Sequence, residues 1–197
     1  MTSTALKAPR TLARCAQTAI GVAAVADVFR AVALREHHLH PSDASSETVS
    51  RVFVYLMTLA IVPFLAWLAR ARRNAESLSP SSPVPTAGWT IGAWFVPVAN
   101  LFAPRRSVLD IGRASSPVWE EKRDARLVTL WWAAWIGHGL AVVTATQAAP
   151  GSMALLVTAE ALMIAAAVLL GLVIERITAL QSAALRTTAP VEPLPLG

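Results

Sequence analysis

Two long stretches of this 197-residue chain contain no charged side chain, and they constrain its fold more than any other feature. Arg51 and Arg70 enclose 18 uncharged residues, and Arg126 and Glu160 enclose 33. An α-helix needs about 20 mostly apolar residues to cross the ~30 Å hydrocarbon core of a bilayer. Only 15% of the residues are charged, whereas a soluble domain carries about 25%. The sequence therefore predicts an integral membrane protein, rather than a soluble or a disordered chain.

Four membrane-spanning helices account for the apolar segments. They are predicted at about residues 12–34, 49–69, 127–149 and 151–177. Turn-forming residues at 148–152 join the last two helices as a hairpin. A cleaved signal peptide is the alternative for the first helix, but the apolar pattern resumes after the small-residue site with Val28 and Phe29. A single membrane domain of residues 12–183 is expected, followed by a flexible, proline-rich tail of residues 184–197.

The distribution of basic residues predicts the orientation in the membrane. Cytoplasmic loops carry an excess of Lys and Arg. With the N-terminal tail of residues 1–11 inside, fourteen of the 17 basic residues lie on the cytoplasmic side, and only Arg35 and Arg51 lie outside. The same bias explains the net charge of +5 without nucleic-acid binding. We expect a multi-pass protein of the plasma (inner) membrane with both termini in the cytoplasm.

The central loop between the second and third helices contains a second kind of membrane element. Residues 89–104 are mostly apolar but too few to span as an ordinary helix, and Pro97 and Asn100 interrupt them. We predict a cytoplasmic interfacial element at residues 86–116. It comprises a segment that is re-entrant or lies flat in the interface, and then a short amphipathic helix starting at Pro104.

The side chains of this loop suggest a binding surface. We expect Trp89 and Trp94 at headgroup depth, and we expect Trp94, Pro97 and Asn100 to pack against the four helices, with Asn100 satisfying exposed backbone groups. Basic residues beside a bilayer attract anionic lipid headgroups, and a protein partner is the alternative ligand. The candidate binding residues are Trp89, Trp94, Pro97, Asn100, Pro104, Arg105 and Arg113.

The same loop resembles a known family. The residues that carry the likeness are Trp67, the run 70–75, Gly88, Trp89, 92–95, Pro97, Asn100, Leu101, Pro104, 113–115, Trp131, Trp132, Ile177, Thr178 and Gln181. Together they resemble the domain of unknown function 4328 family of bacterial membrane proteins. The resemblance implies the membrane topology but no activity, substrate or cofactor. Two positions depart from the pattern: Arg105 stands where an aromatic residue is usual, and Gly112 stands where Trp is usual.

Four ionisable residues lie well away from the ends of the predicted spans. Asp27, His138 and Glu160 lie at similar depths, and Arg30 follows Asp27 by one turn on the same face. One hypothesis makes Asp27, His138 and Glu160 a proton or cation site. The favoured interpretation is structural, with an Asp27–Arg30 ion pair and a hydrogen bond between His138 and Glu160 that hold helices together.

Other chemistry has weaker support in the sequence. The tract from Glu36 to His40, with Asp43, lacks the spacing of a metal site, and we interpret it as a solvated loop. No cofactor motif occurs, and Asn100, Arg105 and Asp110 are only weak candidates for catalysis. Small residues on the fourth helix permit packing within one bundle or between copies. The leading hypothesis is a binding or scaffold module, and the alternative is a small transporter or channel subunit.

Overall fold

The computed structural model describes residues 7–39, 45–149 and 152–187, and within these ranges the chain forms helices and no strand. The six α-helices are α1 (Arg10–Leu39), α2 (Ser45–Leu78), α3 (Ala87–Gly92), α4 (Ala103–Ser115), α5 (Glu121–Gln147) and α6 (Met153–Thr187). A short 3-10 turn, Ala99–Leu101, precedes α4. The predicted all-α class is confirmed.

Four of the helices are long and apolar enough to cross a membrane: α1, α2, α5 and α6. Their outward faces carry large apolar side chains in the open, among them Phe29, Tyr55, Leu59, Leu140 and Val168. A soluble protein would expose such a surface at a large cost, because about 25 cal/mol is lost per Å² of apolar area left in water. The four predicted spans are confirmed.

Two of the helices, α2 and α6, extend beyond the apolar spans that the sequence predicts for them. α2 continues to Leu78 through the basic run at residues 70–75, and α6 continues to Thr187, where the sequence predicted an end near residue 177. The α2 extension is rich in Arg and Ala and the α6 extension in Ala and Leu, residues that have high helix propensity in water. The apolar criterion locates the part of a helix that fits inside a bilayer, and it does not locate the helix end.

The four long helices form a bundle with a distinct basic end, which we define as the end where Arg70, Arg126 and Arg176 lie. α1 packs along α2, α5 packs along α6, and α1 also packs against α6. α2 and α5 hardly touch each other directly. At the basic end the space between them is occupied by α3, α4 and the residues that join these two short helices.

α4 is the central piece of the core at the basic end. Its start at Ala103 places Pro104 in the first turn, as predicted, where the missing N–H of proline costs no hydrogen bond. Val108 and Ile111 are fully buried on its inner face, and the helix packs against α2, α5 and α6. The predicted amphipathic helix is therefore part of the folded bundle and does not lie apart from it.

The predicted histidine-rich loop falls largely outside the described residues. His40 and Asp43 lie in the undescribed stretch, and nothing is described of the side chains of His37 and His38. α1 continues to Leu39, so the first part of this tract is helical and not an irregular loop.

Candidate functional site

The residues between Thr86 and α4 form a compact unit at the basic end, which we call the aromatic segment (residues 87–102). Thr86 caps α3 by accepting a hydrogen bond from the backbone N–H of Trp89 at 3.3 Å. Consecutive turns then lead from Gly92 to the 3-10 turn. The segment satisfies its backbone mainly within itself, which suits a short apolar stretch that has no partner strand or long helix.

Trp94 anchors the aromatic segment between α2 and α5. Its ring lies 5.1 Å from the ring of Phe64 on α2, in edge-on geometry. On α5, the ring centroids of Trp131 and Trp132 lie 6.4 and 6.2 Å away. Aromatic pairs at such distances add about 0.5–1.5 kcal/mol each beyond area burial. Trp132 also donates its indole N–H to the carbonyl of Leu101 at 3.0 Å, so the segment is held at its middle and near its C-terminal end.

The anchor lies below the level of the basic residues on both neighbouring helices. Phe64 precedes Arg70 by six residues on α2, and Trp132 follows Arg126 by six residues on α5. At 1.5 Å per residue, each interval corresponds to about 9 Å along the helix axis. Two independent helices therefore give the same depth for Trp94, about 9 Å from the basic level toward the middle of the bundle.

The outer face of the aromatic segment is apolar and exposed. Phe95 is 67% exposed, Val98 73% and Phe102 71%, with Val96 between them. Pro97 shares this face and is exposed, so the expectation that it packs against the helices is wrong. Ala93 is buried and Trp94 packs inward, whereas the next four residues are all exposed, so the chain turns outward after Trp94.

Asn100 does not do what the sequence predicted for it. The residue is half-buried, but its side-chain Oδ1 has no hydrogen-bond partner among the described residues. The indole N–H of Trp94 is likewise buried and without a partner in the described part of the chain. The backbone of the segment is satisfied by its own turns, so Asn100 is not needed for that purpose.

The arginines of this region differ in how far their side chains are bonded to other residues of the protein. Arg113 bonds to Glu121 on α5 and lies 3.3 Å from Asp110, and the bond to Glu121 raises the pKa of the guanidinium. Burial raises the pKa of the Asp110 carboxyl, against the opposing effect of Arg113 and Arg106. Arg105 donates to the hydroxyl of Thr129 at 2.9 Å. Arg113 and Arg105 thus both join α4 to α5, while Arg106 is exposed and lies 3.8 Å from Asp110 on its own helix.

A cavity of about 250 Å³ lies behind the aromatic segment, inside the bundle. Its walls are almost entirely apolar and come from α1, α2, α5, α6 and the aromatic segment itself. Trp94 and Asn100 are among its lining residues, as are Met57 and Met163 further along the helices. Sequence reasoning missed this cavity, because its walls come from five elements whose relative placement no local pattern encodes.

The ionisable residues of the spans do meet inside the bundle. Asp27 is completely buried, and Arg30 donates to its Oδ1 at 2.7 Å. His138 on α5 approaches from another side, with its Nε2 3.7 Å from Asp27 Oδ2. Glu160 on α6 is within electrostatic range of all three. We call these four residues the polar cluster. The predicted Asp27–Arg30 pair is present.

The hydrogen bonding of the polar cluster differs from the prediction in one respect. His138 Nδ1 bonds to the backbone carbonyl of Ala159 at 2.9 Å, and not to Glu160. Because a carbonyl can only accept, Nδ1 carries a proton and Nε2 is the nitrogen that faces Asp27. Asp27 Oδ2 and Glu160 Oε2 are both buried without a hydrogen-bond partner in the described ranges. These two carboxylate oxygens of the polar cluster could therefore each accept a further hydrogen bond.

A second polar group, which the sequence did not predict, joins the helices at the basic end. Gln181 of α6 donates to the carbonyl of Ala71 at 2.7 Å and to the hydroxyl of Ser115 at 2.9 Å, and it accepts from Asn74 at 3.1 Å. All three polar side chains are fully buried. Trp67 donates to Thr178 one turn away. The family resemblance includes all of these residues, with Ala71 and Asn74 in its run 70–75, so part of that motif serves the fold.

Gly112 shows how the chain accommodates one departure from the family pattern. An added Cβ on Gly112 would lie 2.3 to 2.9 Å from three ring atoms of Trp119. Trp119 therefore covers the place where a side chain at position 112 would stand. Its indole N–H donates to Glu121, which fixes the ring there. The aromatic bulk expected at position 112 is supplied in space by position 119.

We predict that Gly112→Ala destabilises the protein by about 1–2 kcal/mol. Overpacking costs about 1–3 kcal/mol, and the better helix propensity of Ala returns up to about 1 kcal/mol. Thermal unfolding in detergent measures the change, with Gly88→Ala as the matched control because nothing lies within 4 Å of its added Cβ. Equal stability of the two variants would contradict the close packing of Trp119.

The helix architecture and the match to a family model together indicate what class of protein this is and to which family it belongs. Four long apolar helices with lipid-type outer faces suggest a multi-pass α-helical membrane protein. The model of the family described as a domain of unknown function (DUF4328) matches residues 30–179, and the protein belongs to this family, as the resemblance implied. No curated protein and no solved structure gave a match. The matched residues contain the aromatic segment and three members of the polar cluster, all but Asp27.

Proposed function

We propose that this protein is a lipid-binding module of the plasma membrane, whose aromatic segment is inserted into the cytoplasmic leaflet. The observation that carries the proposal is the exposed apolar face of Phe95, Val96, Val98 and Phe102 on a segment that Trp94 anchors about 9 Å below the basic level. That depth matches the boundary between headgroups and acyl chains, where amphipathic elements settle.

The charges around the segment fit anionic lipid headgroups. Arg105 and Arg106 follow the exposed Phe102 after two intervening residues, and Arg123 and Arg126 stand on the first turns of α5. Each basic residue near an anionic surface contributes about 1 kcal/mol of attraction. The excess of basic residues at this end supports a cytoplasmic placement of both termini. A protein partner on the same surface is the competing ligand.

Native mass spectrometry of the full chain, extracted from vesicles of phosphatidylglycerol and phosphatidylcholine, tests this proposal. Arg105→Gln/Arg106→Gln should weaken retention of phosphatidylglycerol by about 2 kcal/mol, or roughly 25-fold. Arg35→Gln/Arg51→Gln is the control, because it removes the same charge at the opposite end. Equal retention in both double variants would contradict lipid binding at the basic end. A stoichiometric protein that only the first variant loses would favour the competing ligand.

Transport is the second candidate, and the convergence of the polar cluster from α1, α5 and α6 is what favours it. One carboxylate oxygen each of Asp27 and Glu160 has no hydrogen-bond partner in the described part of the chain, which is costly inside a membrane-spanning bundle. Ion or proton pathways use such groups. The pH-dependent flux of protons or cations into proteoliposomes tests this candidate. Glu160→Gln should abolish the flux, and the exposed Glu175→Gln should leave it unchanged. Flux that Glu160→Gln leaves unchanged would remove the candidate.

A further inference from the structure

We infer that the cavity behind the aromatic segment is a binding site for one acyl chain of a membrane lipid. The inference rests on the proposed function in one respect, because the segment must lie in the leaflet for a lipid to reach the cavity. It goes further by assigning an internal site and the part of the lipid that occupies it.

The size and lining of the cavity fit an apolar chain. At about 30 Å³ per water-sized group, 250 Å³ holds roughly eight methylene groups. Apolar cavities of this kind stay dry and bind apolar molecules. The walls run from Trp94 near the basic end to Met57 and Met163 deeper in the bundle, which is the direction of an acyl chain in the same leaflet.

The surroundings of the cavity indicate how the chain would enter. Ile61 on α2 and Phe95 on the aromatic segment both line the cavity, and both are exposed on the surface of the bundle. Ile61 belongs to a membrane-spanning helix, so its exposed side faces the bilayer. We therefore expect the cavity to open between these two residues, toward lipid. The bilayer itself is therefore the source of the occupant.

The polar atoms beside the cavity fit the ester end of the same chain. The buried indole N–H of Trp94 lacks an acceptor in the described part of the protein, and an unpaired buried donor costs about 1–3 kcal/mol. The ester carbonyl is the acceptor that a bilayer lipid has next to its acyl chain. Asn100 lies beside the same cavity, and its amide offers a further polar contact to the glycerol region.

Photolabelling tests the site in the full chain. The protein is reconstituted in phosphatidylglycerol and phosphatidylcholine vesicles that contain a phospholipid with a mid-chain diazirine, and the labelled peptides are located by mass spectrometry. We expect labelling at the cavity wall, on Met57 and Met163. Labelling confined to outward residues such as Leu59 and Val168 would overturn the inference.

Two variants and one control make the result specific. Ala166→Leu/Ala167→Leu fills most of the cavity and should reduce labelling of the wall at least fivefold, whereas Ala161→Leu, exposed on the same helix, should not. Trp94→Phe keeps an aromatic ring but removes the donor, and should reduce labelling about fivefold. Wall labelling that survives cavity filling would overturn the site. If the segment still lies in the leaflet while the wall stays unlabelled, the inference fails and the proposed function does not.

Discussion

Replacing Asp27 with alanine is expected to lower the free energy of unfolding by about 3–5 kcal/mol. The carboxylate is completely buried and accepts from Arg30, whose side chain is only 19% exposed. Removing one member of a buried ion pair leaves the other charge without compensation, and this is what makes the loss large. Arg30 keeps its position over the ring of Phe53 at 4.7 Å, which offsets only a small part of the cost.

Thermal or denaturant unfolding in a fixed detergent measures this effect. Glu47→Ala is the matched control, since Glu47 pairs with Arg51 on the same kind of helical spacing but both side chains are exposed. Exposed pairs contribute about 0–1 kcal/mol. The double variant Asp27→Ala/Arg30→Ala should recover part of the loss, because both charges are then absent. A single Asp27→Ala variant no less stable than Glu47→Ala would show that the polar cluster is not a stabilising element.

The second large effect is expected for Gln181→Ala, which should lower the free energy of unfolding by about 3 kcal/mol. Three hydrogen bonds are lost at once, and they connect α6 with α2 and α4. Each buried group left without a partner costs about 1–3 kcal/mol, and a connected network is worth more than its separate bonds. The same variant should loosen the packing of α4, because Ser115 loses the donor that holds it to α6.

Hydrogen exchange and unfolding together test the role of Gln181. Gln181→Ala should increase exchange at the backbone amides of α4 as well as lowering the unfolding temperature. Gln147→Ala, on an exposed glutamine at the end of α5, should change neither quantity. An unfolding temperature within error of the control would mean that the buried amides contribute little, and that apolar packing alone holds the basic end together.

The sequence predicted those parts of the fold that depend on the bilayer or on local chemistry. The four spans follow from uncharged runs of sufficient length, and the start of α4 follows from the tolerance of the first helical turn for Pro104. Trp94 was expected to pack inward, and it does. The pairing of Asp27 with Arg30 followed from their spacing on one helix face. Each of these depends on a short range of the chain.

The remaining features depend on contacts between distant elements, which a single sequence does not encode locally. The placement of the aromatic segment against the helices leaves Pro97 exposed and leaves Asn100 Oδ1 without a hydrogen-bond partner among the described residues. His138 bonds to the carbonyl of Ala159 because of the rotation of α5 against α6, which depth alone leaves open. The cavity and the Gln181 network need three or more elements each. The helix ends were misjudged because solvated turns carry no apolar signal.

The aromatic segment connects the fold with the proposed function. Trp94 holds the segment between α2 and α5, which hardly touch each other. The bundle therefore supports the exposed apolar face of the segment. Trp94 also lines the cavity, and its indole N–H, which has no acceptor in the described part of the protein, lies beside it. In the proposed function, Arg105 and Arg106 stand where lipid headgroups would lie. The proposal therefore links folding, lipid contact and access to the cavity through the sixteen residues from 87 to 102.

Depth measurement by electron paramagnetic resonance tests the central claim most directly. With the single native Cys15 changed to serine, a spin label is placed at Val98→Cys in the segment or at Val118→Cys, exposed between α4 and α5. The label at Val98 should collide with dissolved oxygen more than with a water-soluble nickel chelate, and the label at Val118 should show the reverse. A label at Val98 that the nickel chelate reaches as readily as at Val118 would contradict insertion of the segment into the membrane.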